Sequence, residues 1–588
     1  MQPWWETWAG RREAELAAFS RHNLAFTVDA ERERGGQFVL RGVLPVDDEA
    51  IDLVVAYPDT YPDIRFTVYA PNLTLDRHQN PFAKNLCVFP RASEHWRPTF
   101  LAADIIVDRV PDLVRVVRSG GQELRDLEEP QGEPRTDYYS YSPVGGVLIP
   151  DAVLRGAQGH DSGELTLRMA RDTEWLVRDV EALRDVSLGQ ALVLALRRGQ
   201  QELGRAEPEL EQAFVGPTWT GRWVRVTDPP ATPDWSDFAQ QLFTYHPDLD
   251  PHNGKAPSHQ PMQVIGLVFE EEVRQGVCED AWMFVAVTTP RHSNKRKKNA
   301  PQPLRVKLLR GMRCGRDDLG VRVPELAPLQ TKTVAVAGLG TLGSRIGREL
   351  ARGLTRTVRV LDPDFVDAGT VVRWDRGLNA AGAAKALAVR EDFRRDYPFT
   401  DIEVFLHCIG ATGDGPRDGE ILDAWAIDAD LLIDATAEEN VSAALAADAR
   451  RMGMTFLVVW SIEGLGGVVA RIIPGRTGCY HCLELLLSPD HDGIALPAPA
   501  DPPRRIQPRG CADRTFTAPA ADLSPLVDQA TRLAYGELCG MDEGGYPRSS
   551  FDVHVLFLRA PDGSLIEPMR WEVHELQVHP DCQLCNAA

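Results

Sequence analysis

Four cysteines near the C-terminus have the spacing of a metal site. Cys479 and Cys482 form one Cys-x-x-Cys pair in GCYHCLELL, and Cys582 and Cys585 form a second in HPDCQLC. Two such pairs supply four thiolates for a tetrahedral zinc site, which has no open coordination position and is therefore structural. The histidines beside each pair are additional candidate ligands, but four thiolates suffice. Two unrelated pairs of reduced thiols, or two redox pairs, are the alternatives.

A glycine-rich loop separates a strand-like run from a helix-like run in VAVAGLGTLGSRIGREL. In such loops the first glycine, Gly338, permits a tight turn, and the second, Gly340, lets phosphate groups approach the backbone. Gly343 opens the following helix, whose free N–H groups attract an anion. Asp362 ends the next strand-like run, where its carboxylate could hold a ribose hydroxyl. This pattern fits an NAD-dependent dehydrogenase as well as an ATP-dependent enzyme.

Three charged residues after the loop favour ATP. Arg373, Lys385 and Asp434 follow in that order, with Asp434 at the end of a strand-like run. Hydride transfer does not require two phosphate-neutralising cations beside a carboxylate, whereas formation of an acyl-adenylate does. Arg373 and Lys385 would neutralise the triphosphate, and Asp434 would hold Mg²⁺. Each residue alone would also fit a surface salt bridge, but together they predict adenylation.

Cys511 lies in a loop rich in Pro and Arg, PRRIQPRGCADRTF. Nearby cations favour the thiolate, which is the nucleophilic form of cysteine. An incidental exposed thiol is the alternative interpretation. The flanking arginines are Arg504, Arg505, Arg509 and Arg514.

The elements that must position these residues divide the chain into four segments. In residues 1–121 a Trp-rich helix-like run is followed by strand-like runs, and this pattern predicts a compact α+β unit. Residues 122–143 form a charged stretch that contains Pro and Gly, and this composition predicts a linker. Residues 144–325 contain both strand-like and helix-like runs, and we find no catalytic or ligand-binding motif in their sequence. Residues 326–588 alternate strands with helices, which predicts a doubly wound parallel sheet.

Composition excludes several classes of protein. The chain has 588 residues, with 64 Lys and Arg against 85 Asp and Glu, giving a net charge of −21. This acidity argues against a nucleic-acid-binding role, because phosphate binding needs a concentrated cationic surface. No apolar run reaches the roughly 18 residues that a membrane span needs, and the N-terminal residues lack the pattern of a secretory signal. We therefore expect a cytoplasmic protein that binds neither nucleic acid nor membrane.

From Thr331 onward the sequence resembles the ubiquitin-activating (E1, ThiF/MoeB-like) superfamily. The resemblance rests on the glycine loop, Asp362, Arg373, Lys385 and Asp434, and on the two Cys-x-x-Cys pairs. It implies ATP and Mg²⁺ as substrate and cofactor, structural Zn²⁺, a homodimer, and Cys511 as the cysteine that receives the activated acyl group. The family usually has Ser-Asn-Leu shortly before the Arg, but Gly369-Thr370-Val371 stands here. Whether Thr370 replaces the nucleotide-contacting Asn is open from the sequence.

The N-terminal region resembles the ubiquitin-conjugating (E2) family. Asn80 would donate a hydrogen bond to the oxyanion formed when an amine attacks a thioester on Cys87, and His78 would shape the loop. Gln79 departs from the proline of that family. The alternative is that Asn80 caps a turn and Cys87 is a core thiol. The motifs that carry the resemblance are Tyr61-Pro62, His78-Gln79-Asn80, Cys87 and Trp96-Arg97-Pro98.

Both families in one chain resemble the bacterial E1–E2 fusion proteins of CBASS antiviral operons. The architecture that this resemblance implies is an N-terminal UBC-like fold, a mixed α/β middle domain of the degenerate adenylation-like kind, and a C-terminal Rossmann-like adenylation domain with a Cys₄ zinc site. The resemblance implies that a cGAS/DncV-like nucleotidyltransferase is adenylated at its C-terminus, passed to Cys511, transferred to Cys87 and joined to a target amine.

Other functions remain open from the sequence. The activated protein could instead be a bacterial ubiquitin-like protein unrelated to CBASS. A sulfur-carrier (ThiS/MoaD-like) adenylyltransferase would need only the C-terminal half and would leave Cys87, His78 and Asn80 without a role. An NAD-dependent oxidoreductase would use only the glycine loop, and a scaffold would use none of these side chains.

Overall fold

The computed structural model describes most of the chain and divides it into two compact units. Unit 1 comprises Met1–Arg205 and Gly216–Met312, and unit 2 comprises Ala206–Val215 and Arg313–Ala588. Cys511 and the first part of the expected linker lie outside the described residues. The described residues are 3–89, 96–118, 132–142, 145–170, 190–251, 262–274, 276–288, 305–410, 417–463, 465–491, 493–498, 505–507, 515–540 and 544–586.

The N-terminal part of unit 1 is a four-stranded antiparallel sheet in the order β1-β2-β3-β4. Apolar residues alternate along β3, so that one face of the sheet is buried under the long helix α4 and the Trp-rich opening helices. The chain between β4 and α4 carries Cys87. The elements are α1 (Trp4–Thr7), α2 (Ala9–Arg21), β1 (Thr27–Val28), α3 (Ala30–Arg34), β2 (Phe38–Val46), β3 (Glu49–Tyr57), β4 (Thr67–Tyr69) and α4 (Ala102–Arg118).

The middle part of unit 1 is an eight-stranded sheet in the order β5-β12-β11-β10-β9-β6-β7-β8. Strand β5 also pairs with β7, which closes seven strands into a ring and leaves β8 outside it. The elements are β5 (Gly146–Ile149), α5 (Asp151–Ala157), β6 (Ser162–Met169), β7 (Ala191–Arg198), β8 (Gln201–Arg205), α6 (Pro208–Ala213, in unit 2), β9 (Thr218–Arg225), α7 (Trp235–Tyr245), β10 (Gln263–Arg274), β11 (Val277–Thr288) and β12 (Arg305–Arg313).

This closed sheet differs from the adenylation-like α/β arrangement expected for residues 144–325. Strands β10 and β11 form a long antiparallel hairpin, and both sheet faces carry apolar clusters. An antiparallel hairpin lets strands that are neighbours in sequence pair directly, without the crossover helices that parallel strands require. One face is covered by Phe238 of α7 and by Tyr139, which belongs to the segment 132–142. The described part of the expected linker is thus packed against a sheet.

Unit 2 contains an eight-stranded sheet in the order β15-β14-β13-β16-β17-β18-β21-β22. Strands β15, β14, β13, β16 and β17 are parallel, and the remaining strands are antiparallel. This confirms the predicted doubly wound sheet. The strands of this sheet are β13 (Thr333–Ala337), β14 (Thr357–Leu361), β15 (Asp401–Phe405), β16 (Leu431–Asp434), β17 (Phe456–Ser461), β18 (Gly466–Ile472), β21 (Val553–Arg559) and β22 (Leu565–His574). A separate two-stranded sheet consists of β19 (Arg505–Ile506) and β20 (Thr515–Phe516).

Helices and apolar strands enclose the core of unit 2. Every residue of β13 is buried, as is typical of a central parallel strand covered on both faces. None of the helices in the described ranges combines the length and apolar character of a membrane span. The helices are α8 (Arg316–Gly320), α9 (Gly343–Arg352), α10 (Lys385–Asp396), α11 (Asp418–Ala426), α12 (Glu439–Met452), α13 (Tyr480–Leu487), α14 (Ala520–Cys539) and α15 (Gln583–Asn586).

Candidate functional site

The loop between β13 and α9 has a backbone that requires glycine at two positions. Gly338 adopts a φ of +78°, and a Cβ atom there would lie 2.7 Å from the backbone nitrogen of Thr436. A Cβ atom on Gly343 would lie 1.8 Å from the carbonyl oxygen of Gly338. Around the Cβ position of Gly340, the described residues beyond its chain neighbours leave 4 Å of open space. The loop is therefore tightly folded and open to a ligand at Gly340.

Asp362 holds the glycine loop in place. Its carboxylate accepts hydrogen bonds from the backbone nitrogens of Leu339 (2.6 Å) and Asp364 (2.8 Å). Burial raises the pKa of Asp362, against the lowering effect of Lys385 and these hydrogen bonds. The residue predicted to contact ribose thus also connects the end of β14 to the loop after β13.

A cavity of about 1070 Å³ has both Arg373 and Lys385 in its lining. The described residues that line it do not include the glycine loop, which is linked to Lys385 through Asp362. The Lys385 ammonium lies 2.8 Å from Asp364 and 4.0 Å from Asp362. Thr370 also lines the cavity, and its hydroxyl donates to the Asp367 carbonyl at 2.8 Å. The volume suits a nucleotide-sized ligand. Three cationic residues line the cavity, namely Arg373, Lys385 and Arg559, and Arg559 is paired with Asp522.

Asp364 is a cavity residue to which the sequence analysis gave no role. Its side chain is 67% exposed, so its carboxylate can accept a cation without losing much hydration. The available signal was its position just after β14, because ligands of doubly wound sheets bind at the carboxyl ends of parallel strands.

Arg373 connects the cavity to the two-stranded sheet β19–β20. Its guanidinium donates to the Phe516 carbonyl (3.1 Å) and to the Thr515 hydroxyl (3.2 Å) and lies over the Phe516 ring. Burial lowers the pKa of Arg373. Ile506, Thr515 and Phe516 all line the cavity. Cys511 lies between β19 and β20 in sequence and is outside the described residues.

Asp434 is placed differently from Arg373 and Lys385. It is completely buried and is not one of the described residues that line the cavity. Its carboxylate accepts from the Thr436 backbone nitrogen (2.9 Å), the Thr436 hydroxyl (2.7 Å) and the Ser442 hydroxyl. Burial raises the pKa of Asp434. In this arrangement Asp434 fixes the turn after β16.

The four C-terminal cysteines form one cluster. The Cys479 sulfur lies 3.8 Å from that of Cys482 and 3.5 Å from that of Cys582, and the Cys482 sulfur lies 3.8 Å from that of Cys585. All four sulfurs lie within 4.8 Å of one another. A tetrahedral site with Zn–S bonds of about 2.3 Å has sulfurs about 3.8 Å apart, so this donor set fits zinc.

In unit 1, Cys87 is exposed and lies beside the turn that carries His78 and Asn80. The Cys87 backbone nitrogen donates to the His78 carbonyl at 2.7 Å. The Asn80 side-chain oxygen accepts from the backbone nitrogens of Phe82 and Ala83, both at 2.9 Å. Asn80 therefore caps a turn, and its Nδ2 group is the donor that remains for an oxyanion. Cys87 is not a core thiol.

Gln79 supplies side-chain hydrogen bonds that a proline could not. Its amide is 4% exposed; the oxygen accepts from the Leu75 backbone nitrogen (2.9 Å), and the nitrogen donates to the Ala70 and Lys84 carbonyls. These bonds fix the chain on both sides of Asn80. Gln79 is therefore a structural residue of this turn.

Glu133, in the segment 132–142, contacts the same turn. Its carboxylate accepts from the His78 backbone nitrogen at 2.9 Å, lies 3.4 Å from the His78 ring nitrogen, and accepts from the Tyr138 hydroxyl. The pKa of the Cys87 thiol is raised, first by desolvation and then by the negative charge of Glu133, while Arg65 lowers it. Sequence reasoning missed Glu133, because it lies in the expected linker.

The two outer motifs of the N-terminal region meet in space. The Trp96 indole nitrogen donates to the Pro62 carbonyl at 2.8 Å, and its ring packs against those of Tyr61, Phe66 and Phe89. These contacts anchor the chain on either side of Cys87 to one aromatic core.

Unit 2 is a doubly wound α/β domain whose cavity is lined by Arg373 and Lys385. Residues 318–531 match the model of the ThiF family. The chain therefore contains a ThiF family domain with an adenylation fold.

The chain is similar to two curated proteins, and part of it resembles one solved structure. The uncharacterized protein y4oA of Sinorhizobium fredii is 28% identical over the whole chain and 98% of its own length. The ATP-dependent ubiquitin transferase-like protein Cap2 of Enterobacter hormaechei is 26% identical over 182 residues, or 30% of this chain and 29% of Cap2. The structure of E. coli MccB with ATP is 13% identical, with a TM-score of 0.33, over 45% of this chain and 69% of MccB.

Proposed function

We propose that this chain uses ATP to activate the C-terminus of a protein and then conjugates that C-terminus to an amine. The observation that carries the proposal is the presence of two separate reactive centres. Unit 2 has a ThiF-type cavity containing Arg373 and Lys385, and unit 1 has an exposed thiol, Cys87, whose backbone nitrogen bonds to His78 in the turn that also carries Asn80. A sulfur-carrier adenylyltransferase or an oxidoreductase needs only the first centre.

The proposed reaction has four steps. A carboxylate oxygen of the activated protein attacks the α-phosphorus of ATP, and pyrophosphate leaves. The Cys511 thiolate attacks the acyl-adenylate and AMP leaves. The Cys87 thiolate then displaces Cys511 from the thioester. Finally, an amine nitrogen attacks the thioester carbon, Cys87 leaves as a thiolate, and the amine loses its proton to solvent.

The charged residues of unit 2 have complementary roles in this scheme. Arg373 and Lys385 bind the negative charge of the triphosphate and of the leaving pyrophosphate. Mg²⁺ would neutralise phosphate oxygens when held by carboxylates such as Asp364 at the cavity surface or Asp434 after local rearrangement. Zn²⁺ would bind Cys479, Cys482, Cys582 and Cys585 and hold the C-terminal residues against α13.

The partners and setting follow from the family resemblance. The activated protein would be a cGAS/DncV-like nucleotidyltransferase of an antiviral operon or a ubiquitin-like protein. N-terminal UBC-like and C-terminal E1-like parts would act within a cytoplasmic homodimer. Cap2, which is 26% identical over 30% of this chain, is named an ATP-dependent ubiquitin transferase-like protein, and this similarity supports ATP-dependent transfer of a ubiquitin-like protein.

Trapping the intermediates tests the proposal. With ATP and candidate C-terminal peptides, the wild-type chain should catalyse ATP–pyrophosphate exchange. Cys87→Ala should form an adduct on Cys511 that reductant removes, but no amide product. Cys511→Ala should stop at the adenylate and leave Cys87 unloaded.

Cys278→Ala and Cys408→Ala are matched controls, because both cysteines are exposed and lie outside the proposed centres. Both variants should conjugate normally. Loading of Cys87 at the wild-type rate in Cys511→Ala would show that Cys87 attacks the adenylate directly and would remove Cys511 from the pathway.

A further inference from the structure

A second cavity in unit 2 is lined by four arginines. It has a volume of about 610 Å³. Gln212 of α6 and Phe399 also line it, and the Arg316 guanidinium lies over the Phe399 ring. We call it the arginine cavity; its cationic residues are Arg316, Arg356, Arg390 and Arg394.

None of these four arginines forms an ion pair with a described residue. Arg394 donates a hydrogen bond to the neutral amide of Gln212. The next residue of α10 behaves differently, since Arg395 pairs with Asp392 at 3.1 Å and with Asp396 at 2.9 Å. Within a chain of net charge −21, four guanidinium groups without a carboxylate partner in one cavity need a different explanation from ordinary surface pairing.

Carboxylates at the cavity edge do not remove this imbalance. Glu209 and Asp401 line the cavity as well, but within the described part of the chain neither pairs with the four arginines. The lining therefore carries two more positive than negative charges. Arg390 and Arg394 are also one helical turn apart on α10, an arrangement that is unfavourable for like charges unless an anion lies between them.

The arginine cavity is separate from the cavity lined by Arg373 and Lys385, which we call the nucleotide cavity. Helix α10 begins at Lys385, which faces the nucleotide cavity, and Arg394 lies about 14 Å further along the helix axis. Strand β14 shows the same separation. Its first residue, Thr357, lines the arginine cavity, whereas its last residue, Leu361, directly precedes Asp362. ATP bound at the glycine loop thus leaves these arginines unpaired.

We propose that the arginine cavity binds the phosphate groups of a small molecule that carries a diphosphate or triphosphate. The planar guanidinium presents paired N–H donors that match phosphate oxygens. The volume falls in the usual range for small-ligand sites. Since Gln212 belongs to α6, the ligand would also tie the segment 206–215 to α10.

Calorimetric titration with inorganic tripolyphosphate tests this proposal. The full-length Arg373→Ala/Lys385→Ala variant is the starting protein, because it lacks the cations of the nucleotide cavity. It should still bind tripolyphosphate. Adding Arg390→Gln and Arg394→Gln should weaken that binding by about tenfold for each arginine. Arg395→Gln is the matched control, since this arginine is already paired, and should change the affinity little.

Hydrogen exchange gives a second measurement that needs no substitution. In the wild-type chain, tripolyphosphate should slow amide exchange in α6 and in the C-terminal half of α10. Equal tripolyphosphate affinity with and without Arg390 and Arg394, or no slowing in these helices, overturns the proposal. Binding of a glutamate-rich peptide without binding of tripolyphosphate would overturn it too, and would identify a protein-docking surface instead.

Discussion

The two proposed reactive centres are held in place by different means. In unit 2, glycine-dependent backbone contacts and the buried carboxylate of Asp362 fix the loop after β13, Arg373 and Lys385 line a cavity, and four cysteines cluster elsewhere in the unit. In unit 1, an exposed thiol lies on a loop fixed by neutral hydrogen bonds and by one carboxylate from another part of the chain. The difference matches the chemistry proposed for each centre. Phosphate binding needs enclosed positive charge, whereas transfer to a protein amine needs an accessible sulfur.

The largest expected effect concerns the cysteine cluster. If zinc stabilises unit 2, Cys482→Ser should lower its free energy of unfolding by at least about 4 kcal/mol, because the bound metal contributes directly to folding. Thermal unfolding followed with metal analysis measures this loss. Cys278→Ser is the control and should change neither zinc content nor stability. A zinc-free wild-type protein, purified without chelator, would contradict the prediction.

The next effect concerns the cavity cations. Lys385→Ala should slow ATP–pyrophosphate exchange by roughly 100- to 1000-fold, because it removes a positive charge from a site where phosphate charge develops. Lys332→Ala is a matched control, since Lys332 pairs with Asp430 at the other end of the sheet. An unchanged exchange rate in Lys385→Ala would show that the cavity cation Lys385 does not contribute to adenylation.

Asp434 needs a conservative substitution because of its burial. Asp434→Ala would leave the Ser442 and Thr436 donors unsatisfied and so lower stability as well as activity. Asp434→Asn keeps the volume and one acceptor. Loss of exchange in Asp434→Asn with an unchanged thermal midpoint would indicate a direct role in adenylation.

Local sequence patterns predicted unit 2 better than unit 1. The apolar run before Gly338 and the glycine spacing specify a strand, a turn and a helix within a short stretch, and β13 and α9 confirm them. The paired spacing of Cys479 and Cys582 with their partners likewise predicted one cluster. Residues distant in sequence were harder to place. The burial of Asp434 depends on Ser442, and the closing of the middle sheet depends on a pairing between β5 and β7.

A smaller effect is expected at Gln79, which holds the thiol loop. Gln79→Ala removes buried hydrogen bonds and should destabilise the loop by about 1–3 kcal/mol. Faster amide exchange at Leu75 and around Asn80, with little change in unit 2, would measure this. Asn72→Ala is a suitable control, because Asn72 makes an exposed hydrogen bond to Asp52. Equal exchange in both variants would show that the aromatic anchor at Trp96 fixes the loop alone.

The smallest effect concerns the charge next to Cys87. Glu133 raises the pKa of the thiol, so Glu133→Gln should lower that pKa toward its ordinary value and increase the thiolate fraction at neutral pH. The rate of Cys87 alkylation by iodoacetamide, measured against pH in a variant lacking the other exposed cysteines, would then rise at neutral pH.

Glu271→Gln is the control for this change. Glu271 bonds to Thr136 in the same segment but does not contact the His78 turn in the described structure. It should therefore leave the alkylation profile unchanged. If both variants shift the profile equally, the effect comes from loosening the segment 132–142 rather than from the charge of Glu133. If Glu133→Gln alone shifts it downward, the charge of Glu133 in the segment 132–142 contributes to the pKa of a thiol that the N-terminal part carries.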